Sequence, residues 1–409
     1  MSKLLQINIT ANWGSHGKIA EGIGKLAISQ GWDSYIAYGR YANASVSHLY
    51  HIGNMADEYG HVALTRLFDS HGLGSKRVTR QLVEYIRQLS PDIIHLHNIH
   101  GYYLNYPILF QYLAESGTPV VWTLHDCWSF TGHCAHFMTK ACEKWQTSCR
   151  NCPLTHTYPK SWWMDQSARN FIKKKSTFLS VGDMTIIPVS KWLEEKVSVS
   201  FLKIFPVRHI YNGIDVSLFC PQETDPSVRT KYQIPQGKKI VLGVASKWYK
   251  NKGFDEFISL RKLLPEKYAI IMVGVNKKQL KVLPDGIIGI ERTDNIRELA
   301  SLYSMADVFL NLTWEDTFPT TNIEALACGT PVVTYNTGGC SECITDSNGF
   351  VVNQGDLQQV CMAIRQICSA DKNRYLTICR DYALSHFNEQ DRYMDYLNLY
   401  RMLIDKQTE

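Results

Sequence analysis

Residues 314–333 read WEDTFPTTNIEALACGTPVV. An apolar run precedes this stretch, Pro319 and the two threonines after it can begin a helix, and Gly329 can end that helix before the next apolar run. The loop therefore carries Asp316 and the helix carries Glu324, with a helix N-terminus between them that attracts phosphate. Because carboxylates suit sugar hydroxyls, the stretch fits a phosphate flanked by two sugars. The alternative is a capped turn with solvated acids.

On both sides of this stretch, short apolar runs alternate with helix-length amphipathic segments, which is typical of βα units and parallel sheets. A first series of strands is predicted at residues 4–9, 34–37, 93–97, 120–124 and 185–189, with a helix over residues 18–30. A second series is predicted at residues 240–244, 269–273, 287–290, 308–312 and 331–335. The fold class is therefore α/β, with two doubly wound Rossmann-like domains. They are predicted at residues 1–208 and 209–387, with a helical segment, residues 388–409, crossing back onto the first, and a ligand site in the cleft at the strands' carboxyl ends.

The composition is that of an ordinary globular protein. The 409 residues include 43 Lys and Arg against 38 Asp and Glu, a net charge of +5, and 45% of them are hydrophobic. This excludes disordered, collagen-like and coiled-coil chains, and so small and dispersed a charge does not suggest a nucleic-acid partner. With neither a signal peptide nor an apolar run of about 18 residues, we expect a cytoplasmic protein whose cysteines stay reduced.

Common phosphate-binding and metal-binding motifs are absent or misplaced. Residues 22–27 read GIGKLA and match the dinucleotide fingerprint, but they lie inside a predicted helix instead of at its start. Neither a P-loop nor a D-x-D pair is present. A nucleoside diphosphate would have to be neutralised by side-chain cations, for which Lys247 and Lys252, in the loop after residues 240–244, are candidates. Two solvated loop lysines are the alternative.

The ordered motifs resemble the retaining GT-B glycosyltransferases of the family-4 type, also called glycosyl transferases group 1. That family has an E-x7-E motif followed by EA-[ML]-A-x-G-x-PVV, and Asp316 to Glu324 has the same interval. Further matches are NGID at 212–215, Ser246-Lys247 with Lys252-Gly253, Gly338-Gly339 with Glu342, NG at 348–349, PDIIHLH at 91–97 and TLHD at 123–126. Residues 122–153 also resemble members that assemble bacterial surface polysaccharides such as colanic acid, O-antigen or capsule.

The resemblance implies a GT-B fold and retaining, metal-independent transfer of a hexose-type sugar. The donor would be a UDP- or GDP-sugar and the acceptor a lipid-linked glycan at the inner face of the membrane. Two positions depart from the family. Asp316 stands where Glu is usual, with Glu315 as an alternative acid, and Lys247 replaces an Arg, exchanging a planar fork for a point charge. A GT-B sugar-nucleotide epimerase and a nucleotide-sugar binding protein without turnover remain alternative functions.

The resemblance also implies the site residues. The catalytic candidates are His125, Asp126, Asp316, Lys247 and Lys252. The donor-binding candidates are Gly14, Gly17, Lys247, Lys252, Asp316, Phe318, Pro319, Thr320, Thr321 and Glu324. Acceptor-side candidates are His97, Asn98 and His100. Asp126 is considered a base or an orienting residue, and a lone histidine such as His125 is more commonly structural.

Two further features lie between residues 130 and 175. Cys134, Cys142, Cys149 and Cys152 have seven, six and two intervening residues and end in C-x-x-C. They predict either a structural zinc site, which catalysis would not need, or four thiols without metal. KSWWM at 160–164 and FIKKK at 171–175 mix aromatic and basic residues, as in a peripheral contact with an anionic membrane or an ordinary amphipathic helix.

Overall fold

A computed structural model describes residues 1–223 and 226–408 and divides them into two compact units. The first unit comprises residues 1–212 and 390–408, and the second comprises the described part of 213–389. These boundaries differ by a few residues from those predicted at 208 and 388. Within the described chain, no helix is both long enough and apolar enough to span a bilayer.

The first unit contains a parallel sheet, whose six strands in the described residues have the order β3-β2-β1-β4-β5-β6. The strands are β1 (Lys3–Ala11), β2 (Asp33–Ala42), β3 (His48–His51), β4 (Ile93–Leu96), β5 (Val120–Leu124) and β6 (Met184–Pro188). The helices are α1 (Gly14–Ser29), α2 (Met55–Phe68), α3 (Lys76–Leu89), α4 (Tyr106–Ser116), α5 (Ser167–Phe178) and α6 (Lys191–Ser198). Strands β4, β5 and β6 are buried along their whole length, as expected of strands covered on both faces.

The second unit repeats the arrangement, with the order β12-β11-β10-β7-β8-β9 for the six strands of its described residues. The strands are β7 (Lys239–Val244), β8 (Tyr268–Val273), β9 (Ile287–Ile290), β10 (Val308–Asn311), β11 (Val332–Tyr335) and β12 (Gly349–Val352). The helices are α7 (Pro226–Lys231), α8 (Phe254–Leu263), α9 (Lys277–Leu280), α10 (Ile296–Met305), α11 (Thr320–Ala327), α12 (Leu357–Ser369) and α13 (Lys372–Phe387). In both sheets the chain first winds toward one edge and then crosses to the other. The crossing creates a switch point between β1 and β4, and another between β7 and β10.

The last helix, α14 (Glu389–Thr408), packs on the first unit, as predicted. Its Tyr393 ring lies against α1 at Gly22, where a Cβ atom would approach the ring to 2.2 Å. Gly22 thus serves helix packing, and the GIGKLA stretch lies inside α1 instead of at its start, as predicted. Deeper in this core, the Tyr400 hydroxyl lies 2.6 Å from Nδ1 of His95. His95 is therefore a buried structural residue.

A buried histidine, His61, forms hydrogen bonds to the loop between α2 and α3. His61 is 1% exposed, and its Nε2 accepts hydrogen bonds from the backbone N–H groups of Gly72 and Gly74 at 3.0 and 3.3 Å. Its Nδ1 lies 2.9 Å from Ser75 Oγ. Because Nε2 acts as an acceptor, the ring must be neutral, and burial lowers the pKa of His61 to about 4.

Acidification should therefore destabilise the first unit through His61. The unfolded chain protonates this ring below about pH 6.5, whereas the folded chain resists protonation down to about pH 4, so stability falls as the pH falls between these values. At pH 5 the loss from this one ring should be about 2 kcal/mol. Chemical denaturation of wild type and His61→Gln at pH 7.5 and 5 measures it, with the exposed His48→Gln as control. Equal pH dependence in wild type and His61→Gln would contradict this assignment.

Candidate active site

Two loops meet at the switch point of the second unit, one following β7 and the other following β10. The backbone carbonyl of Asn251 accepts hydrogen bonds from the Trp314 N–H at 2.8 Å and from the Thr313 hydroxyl at 3.0 Å. Gly253 has a φ of +81°, and a Cβ atom there would lie 2.5 Å from the carbonyl oxygen of Leu312. Glycine is therefore required for the two loops to approach this closely.

An ion pair between Lys252 and Asp316 joins the same loops. Lys252 Nζ lies 2.6 Å from Asp316 Oδ2, and both side chains are about a quarter exposed. Burial alone would lower the pKa of Lys252, but Asp316 and the Tyr249 phenol raise it above its usual range. Glu315, the alternative motif acid, instead accepts a hydrogen bond from Asn251 Nδ2 at 2.9 Å. Asp316 is thus the acid that contacts the candidate phosphate-binding lysine.

The helix that follows, α11, begins at Thr320 with Pro319 in the preceding N-cap position. Thr320 and Thr321 are partly exposed, and the first-turn N–H groups of a helix lack carbonyl partners within it. Phe318 is only 4% exposed, and its ring packs 5.8 Å from that of Phe387. Among these donor-binding candidates, Phe318 is therefore a core residue whose side chain does not face solvent.

Glu324 lies one turn further along α11 and is partly exposed. Its Oε2 accepts a hydrogen bond from the hydroxyl of the buried Tyr303 at 2.9 Å. Tyr303 fixes the direction of the carboxylate, a role that the sequence did not reveal because the tyrosine lies in an otherwise ordinary helix, α10.

Lys247 occupies a different part of this sheet edge. It is exposed and lines a cavity of about 630 Å³. The other lining residues come from the loops after β7, β8 and β9 and include Trp248, Tyr249, Asn276 and Arg292. The two candidate lysines therefore have different surroundings, Lys252 in an ion pair and Lys247 at the wall of an open cavity.

In the first unit, the helix predicted over residues 18–30 begins earlier, at Gly14. Gly14 is exposed with a φ of +67°, and no heavy atom lies within 4 Å of where its Cβ would be. Gly17 lies inside the first turn, where a Cβ would come within 2.6 Å of Thr10 Oγ1. Gly14 thus leaves open space at the end of β1, whereas Gly17 is needed for packing.

A hydrogen-bonded chain starting in β1 orients His125, which follows β5. Gln6 Nε2 donates to the Ala20 carbonyl at 2.7 Å, so Gln6 Oε1 faces His97 and accepts from its Nε2–H at 3.0 Å. Neutral His97 then accepts at Nδ1 from the Nε2–H of His125 at 3.2 Å. Burial, followed by His97 and His16, lowers the pKa of His125 well below its usual value. His125 is therefore a neutral imidazole with its proton on Nε2.

Asp126 is held by the neighbouring acceptor-side candidate. Its Oδ2 accepts from His100 Nε2–H at 2.8 Å, and its Oδ1 accepts from the Trp128 N–H at 2.9 Å. Burial would raise the pKa of Asp126, but His100 outweighs it and holds the pKa well below the usual range. His100 is itself 3.0 Å from the Tyr158 hydroxyl. Both carboxylate oxygens are thus engaged, which suits an orienting residue better than a base.

Asn8, His16 and Asn98 also belong to this histidine cluster. Asn8 Oδ1 lies 3.1 Å from His16 Nδ1 and accepts from the backbone N–H of Asn98 at 3.3 Å. Burial lowers the pKa of His16 to about 4, and its ring centre is 5.8 Å from that of His125. Sequence reasoning missed His16, Gln6 and Asn8. Gln6 and Asn8 carry a signal as buried polar residues of β1, whereas His16 lies in the first turn of α1 and carries none.

Two parallel sheets with this strand order, and polar residues at both switch points, define the GT-B class of glycosyltransferases. Anabaena HepE, solved in complex with UDP-glucose, has the same fold, with a TM-score of 0.67 and 15% identity over 98% of this chain and 100% of that one. The fold class predicted from the sequence is confirmed.

The family follows from the sequence comparisons. Glycosyltransferase Family 4 matches residues 27–218, and Glycosyl transferases group 1 matches residues 238–370. The putative colanic acid biosynthesis glycosyl transferase WcaC of Escherichia coli is 26% identical over 98% of this chain and 100% of its own length. A GDP-mannose-dependent alpha-mannosyltransferase of Mycobacterium tuberculosis is 27% identical over 44% of this chain and 46% of its own. The chain thus matches glycosyltransferase families in two parts, and it is a glycosyltransferase, as predicted.

Replacing Gln6 with Met should disturb the tautomer of His125. Without the Gln6 carbonyl oxygen, His97 loses the acceptor that keeps its proton on Nε2, and both rings can exchange tautomers. Nitrogen-15 NMR of labelled histidines should show wild-type His125 neutral and protonated on Nε2 at pH 6, and Gln6→Met as a mixture. An imidazolium signal for wild-type His125 at pH 6 would contradict the network.

Proposed function

We propose that this glycosyltransferase moves a hexose-type sugar from a UDP- or GDP-sugar to a glycan acceptor, with retention of configuration and without a catalytic metal. The observation that carries the proposal is the lysine, acid and helix N-terminus gathered at the switch point between β7 and β10. These groups are suited to a diphosphate and an adjoining sugar.

Each group then has a part in binding the donor. Lys252 and the first turn of α11 bind the diphosphate, and Lys247 adds a second positive charge from the cavity wall. Asp316 accepts hydrogen bonds from the hexose, and Glu324, directed by Tyr303, accepts them from the ribose hydroxyls. Side-chain cations thereby take the place that a divalent ion holds in D-x-D enzymes.

The chemical step breaks the bond between the anomeric carbon and the diphosphate oxygen, and the electron pair leaves with the diphosphate. Lys252, already cationic beside Asp316, stabilises that negative charge. The acceptor hydroxyl attacks the same face of the sugar within an ion-pair-like state, forms the new glycosidic bond and passes its proton to the departing phosphate. This step accounts for retention without a covalent sugar–enzyme intermediate.

The histidine cluster of the first unit serves the sugar and the acceptor. Neutral His125 lies beside the reacting sugar without placing a positive charge next to a developing oxocarbenium ion. Asp126 and His100 form an orienting pair, and His97 and Asn98 shape the surface on which the acceptor rests. Open space at Gly14 lets the donor approach the end of β1.

The acceptor proposed here is a lipid-linked glycan of a surface polysaccharide. The support is the full-length similarity to a relative whose name assigns it to colanic acid biosynthesis. Another relative is named as GDP-mannose-dependent, which supports a nucleoside diphosphate donor and leaves UDP and GDP both open.

Calorimetric titration with UDP, GDP, ADP and CMP in the presence of EDTA tests the donor site. One diphosphate should bind at micromolar concentration, and Lys252→Ala should weaken it roughly 10- to 100-fold, the worth of a charge-assisted hydrogen bond. Glu324→Ala should weaken it to a smaller degree. Lys250→Ala, two residues from Lys252 in the same turn and exposed, is the matched control. Binding that ignores Lys252→Ala, or requires a divalent ion, would overturn the proposal.

A lipid-linked acceptor calls for contact with a membrane, and one face of the first unit supplies it. Exposed apolar side chains lie on three elements that hydrogen bonds connect. The Trp162 N–H donates to the Arg66 carbonyl at 2.8 Å, and Arg66 in turn donates to the Lys160 carbonyl at 2.9 Å. Asp69, which follows α2, accepts from the Gln166 N–H before α5 at 2.8 Å.

We call this face the apolar-basic surface. Its exposed apolar members are Phe68, Trp162, Trp163, Met164 and Ile172, and its basic members are Arg66, Lys160, Arg169 and Lys173. Phe171 and Lys174 of the FIKKK stretch are buried and do not take part. The acidic Asp165 is occupied in capping α5 at the Ser167 N–H. Interfacial tryptophans beside basic groups fit an anionic bilayer, where each basic residue contributes about 1 kcal/mol.

Sedimentation with vesicles of phosphatidylglycerol and phosphatidylcholine tests this contact. Ile172→Ser should reduce binding several-fold because the side chain, 67% exposed, inserts among the headgroups. The matched control is Ile204→Ser, which removes an isoleucine 62% exposed elsewhere in the first unit and should bind like wild type. Binding should weaken with salt. Equal binding by both variants, or none by wild type, would reject the membrane contact and leave the donor-site proposal intact.

A further inference from the structure

Residues 131–166 form a long segment without regular strands or α-helices. Its ordered elements are short 3-10 turns at Met138–Lys140 and Lys144–Gln146. Irregular segments of this length are uncommon in compact domains unless they have a function or a cross-link. This one has a small core of its own, in which the ring centres of Phe137 and Trp145 are 5.0 Å apart. So small a core is marginal without a further constraint.

The four cysteines of the segment line one small cavity. It has a volume of about 10 Å³, and Trp145 is also part of its lining. Roughly this volume is the least that holds a single water molecule, so the space suits one small ion. Cys134 is 6% exposed and the other three are half-buried. The arrangement brings together thiols that are up to 18 positions apart in the sequence.

Two of these sulfur atoms accept hydrogen bonds from backbone N–H groups. The backbone N–H of Gly132 donates to Cys149 Sγ at 3.2 Å, and the N–H of Leu154 donates to Cys152 Sγ. Cys152 also accepts from the thiol of Cys134. A Cβ atom at residue 132 would lie 2.7 Å from Cys149 Cβ and 2.1 Å from the Ser167 carbonyl oxygen, so only glycine permits this approach. Backbone donors directed at sulfur stabilise thiolates, the form that binds metal.

The surroundings also offset negative charge. Lys144 and Arg150 line the same cavity, and both carry positive charge. Lys174 lies behind it, 1% exposed, and donates to the carbonyls of Trp128 and Thr131 at 2.6 and 3.0 Å. Two acids are close in sequence: Glu143 directly follows Cys142, and Asp165 accepts from the Cys152 N–H at 2.6 Å. Four thiolates around a divalent ion carry a net charge of about −2, which Lys144 and Arg150 in the cavity lining offset.

We propose that Cys134, Cys142, Cys149 and Cys152 bind one Zn²⁺ ion in a tetrahedral structural site. Binding removes four thiol protons to solvent and forms four Zn–S bonds, without oxidation or reduction. Within the described residues no three His, Cys, Asp or Glu side chains are yet arranged as a ligand set. The ion must therefore draw Cys142 and Cys149 onto the Cys134–Cys152 pair. The proposal is independent of the proposed donor and acceptor.

Metal analysis of the purified full chain tests this without any variant. Plasma mass spectrometry after extensive dialysis should find one zinc per chain, and a mercurial reagent should release it to a chromogenic chelator. Cys149→Ser should lower the zinc content to well below half and lower the melting temperature. Cys368→Ser, a half-buried cysteine of the second unit, is the matched control and should retain full zinc. Cobalt-loaded wild type should show thiolate-to-metal charge-transfer absorption that the control keeps.

Three results would overturn the site. One is wild type without zinc whose four thiols all react with a thiol reagent. Another is a disulfide between Cys134 and Cys152 in the mass of tryptic peptides from protein kept under non-oxidising conditions. The third is zinc that Cys149→Ser retains as fully as Cys368→Ser does, since that metal would be bound elsewhere.

Discussion

The order of the strands in each sheet determines which loops of this chain can meet. Parallel strands bring their carboxyl ends to one edge, and a crossover from one side of the sheet to the other leaves a crevice where the flanking loops diverge. In the second unit that crevice lies between β7 and β10, so Lys252 meets Asp316 across 64 positions of sequence. In the first unit the same geometry assembles β1, β4 and β5 residues around His125. Every polar cluster assigned to the reaction depends on this strand order.

In the proposed donor site, the Lys252–Asp316 pair keeps a positive charge available for an anion. A lysine withdrawn from water tends to lose its proton, and here the neighbouring carboxylate prevents that loss. The aspartate side chain is one methylene shorter than the usual glutamate, so it reaches less far toward a sugar but still lies 2.6 Å from the lysine. In the proposed donor site, the substitution therefore affects the choice of sugar more than the neutralisation of diphosphate.

The sequence predicted the buried strands well because a strand covered on both faces is an apolar run with sharp ends. The bounds of β5 and β9 agree with the prediction. The edge strands β3 and β12 were missed; both are four residues long and partly exposed, and HLYH has no apolar run. The positions of the motifs could be identified from the sequence, but the hydrogen-bond partners of their residues could not. Tyr303, Tyr158 and Gln6 act through hydrogen bonds to residues between 21 and 91 positions away, which periodicity does not encode.

A chain of hydrogen bonds connects the cysteine segment to Asp126. The Cys127 N–H donates to the Ala135 carbonyl, the Ala135 N–H donates to the Tyr158 carbonyl, and the Tyr158 hydroxyl meets His100, which holds Asp126. A metal ion bound in this segment would thus restrict the motion of the His100–Asp126 pair. In the proposed reaction, Lys247 and Lys252 supply the positive charge. The proposed zinc ion and the lysines therefore have different roles. A tetrahedral ion with four protein ligands has no open position for a substrate, whereas a lysine on a loop edge can exchange its carboxylate partner for a phosphate.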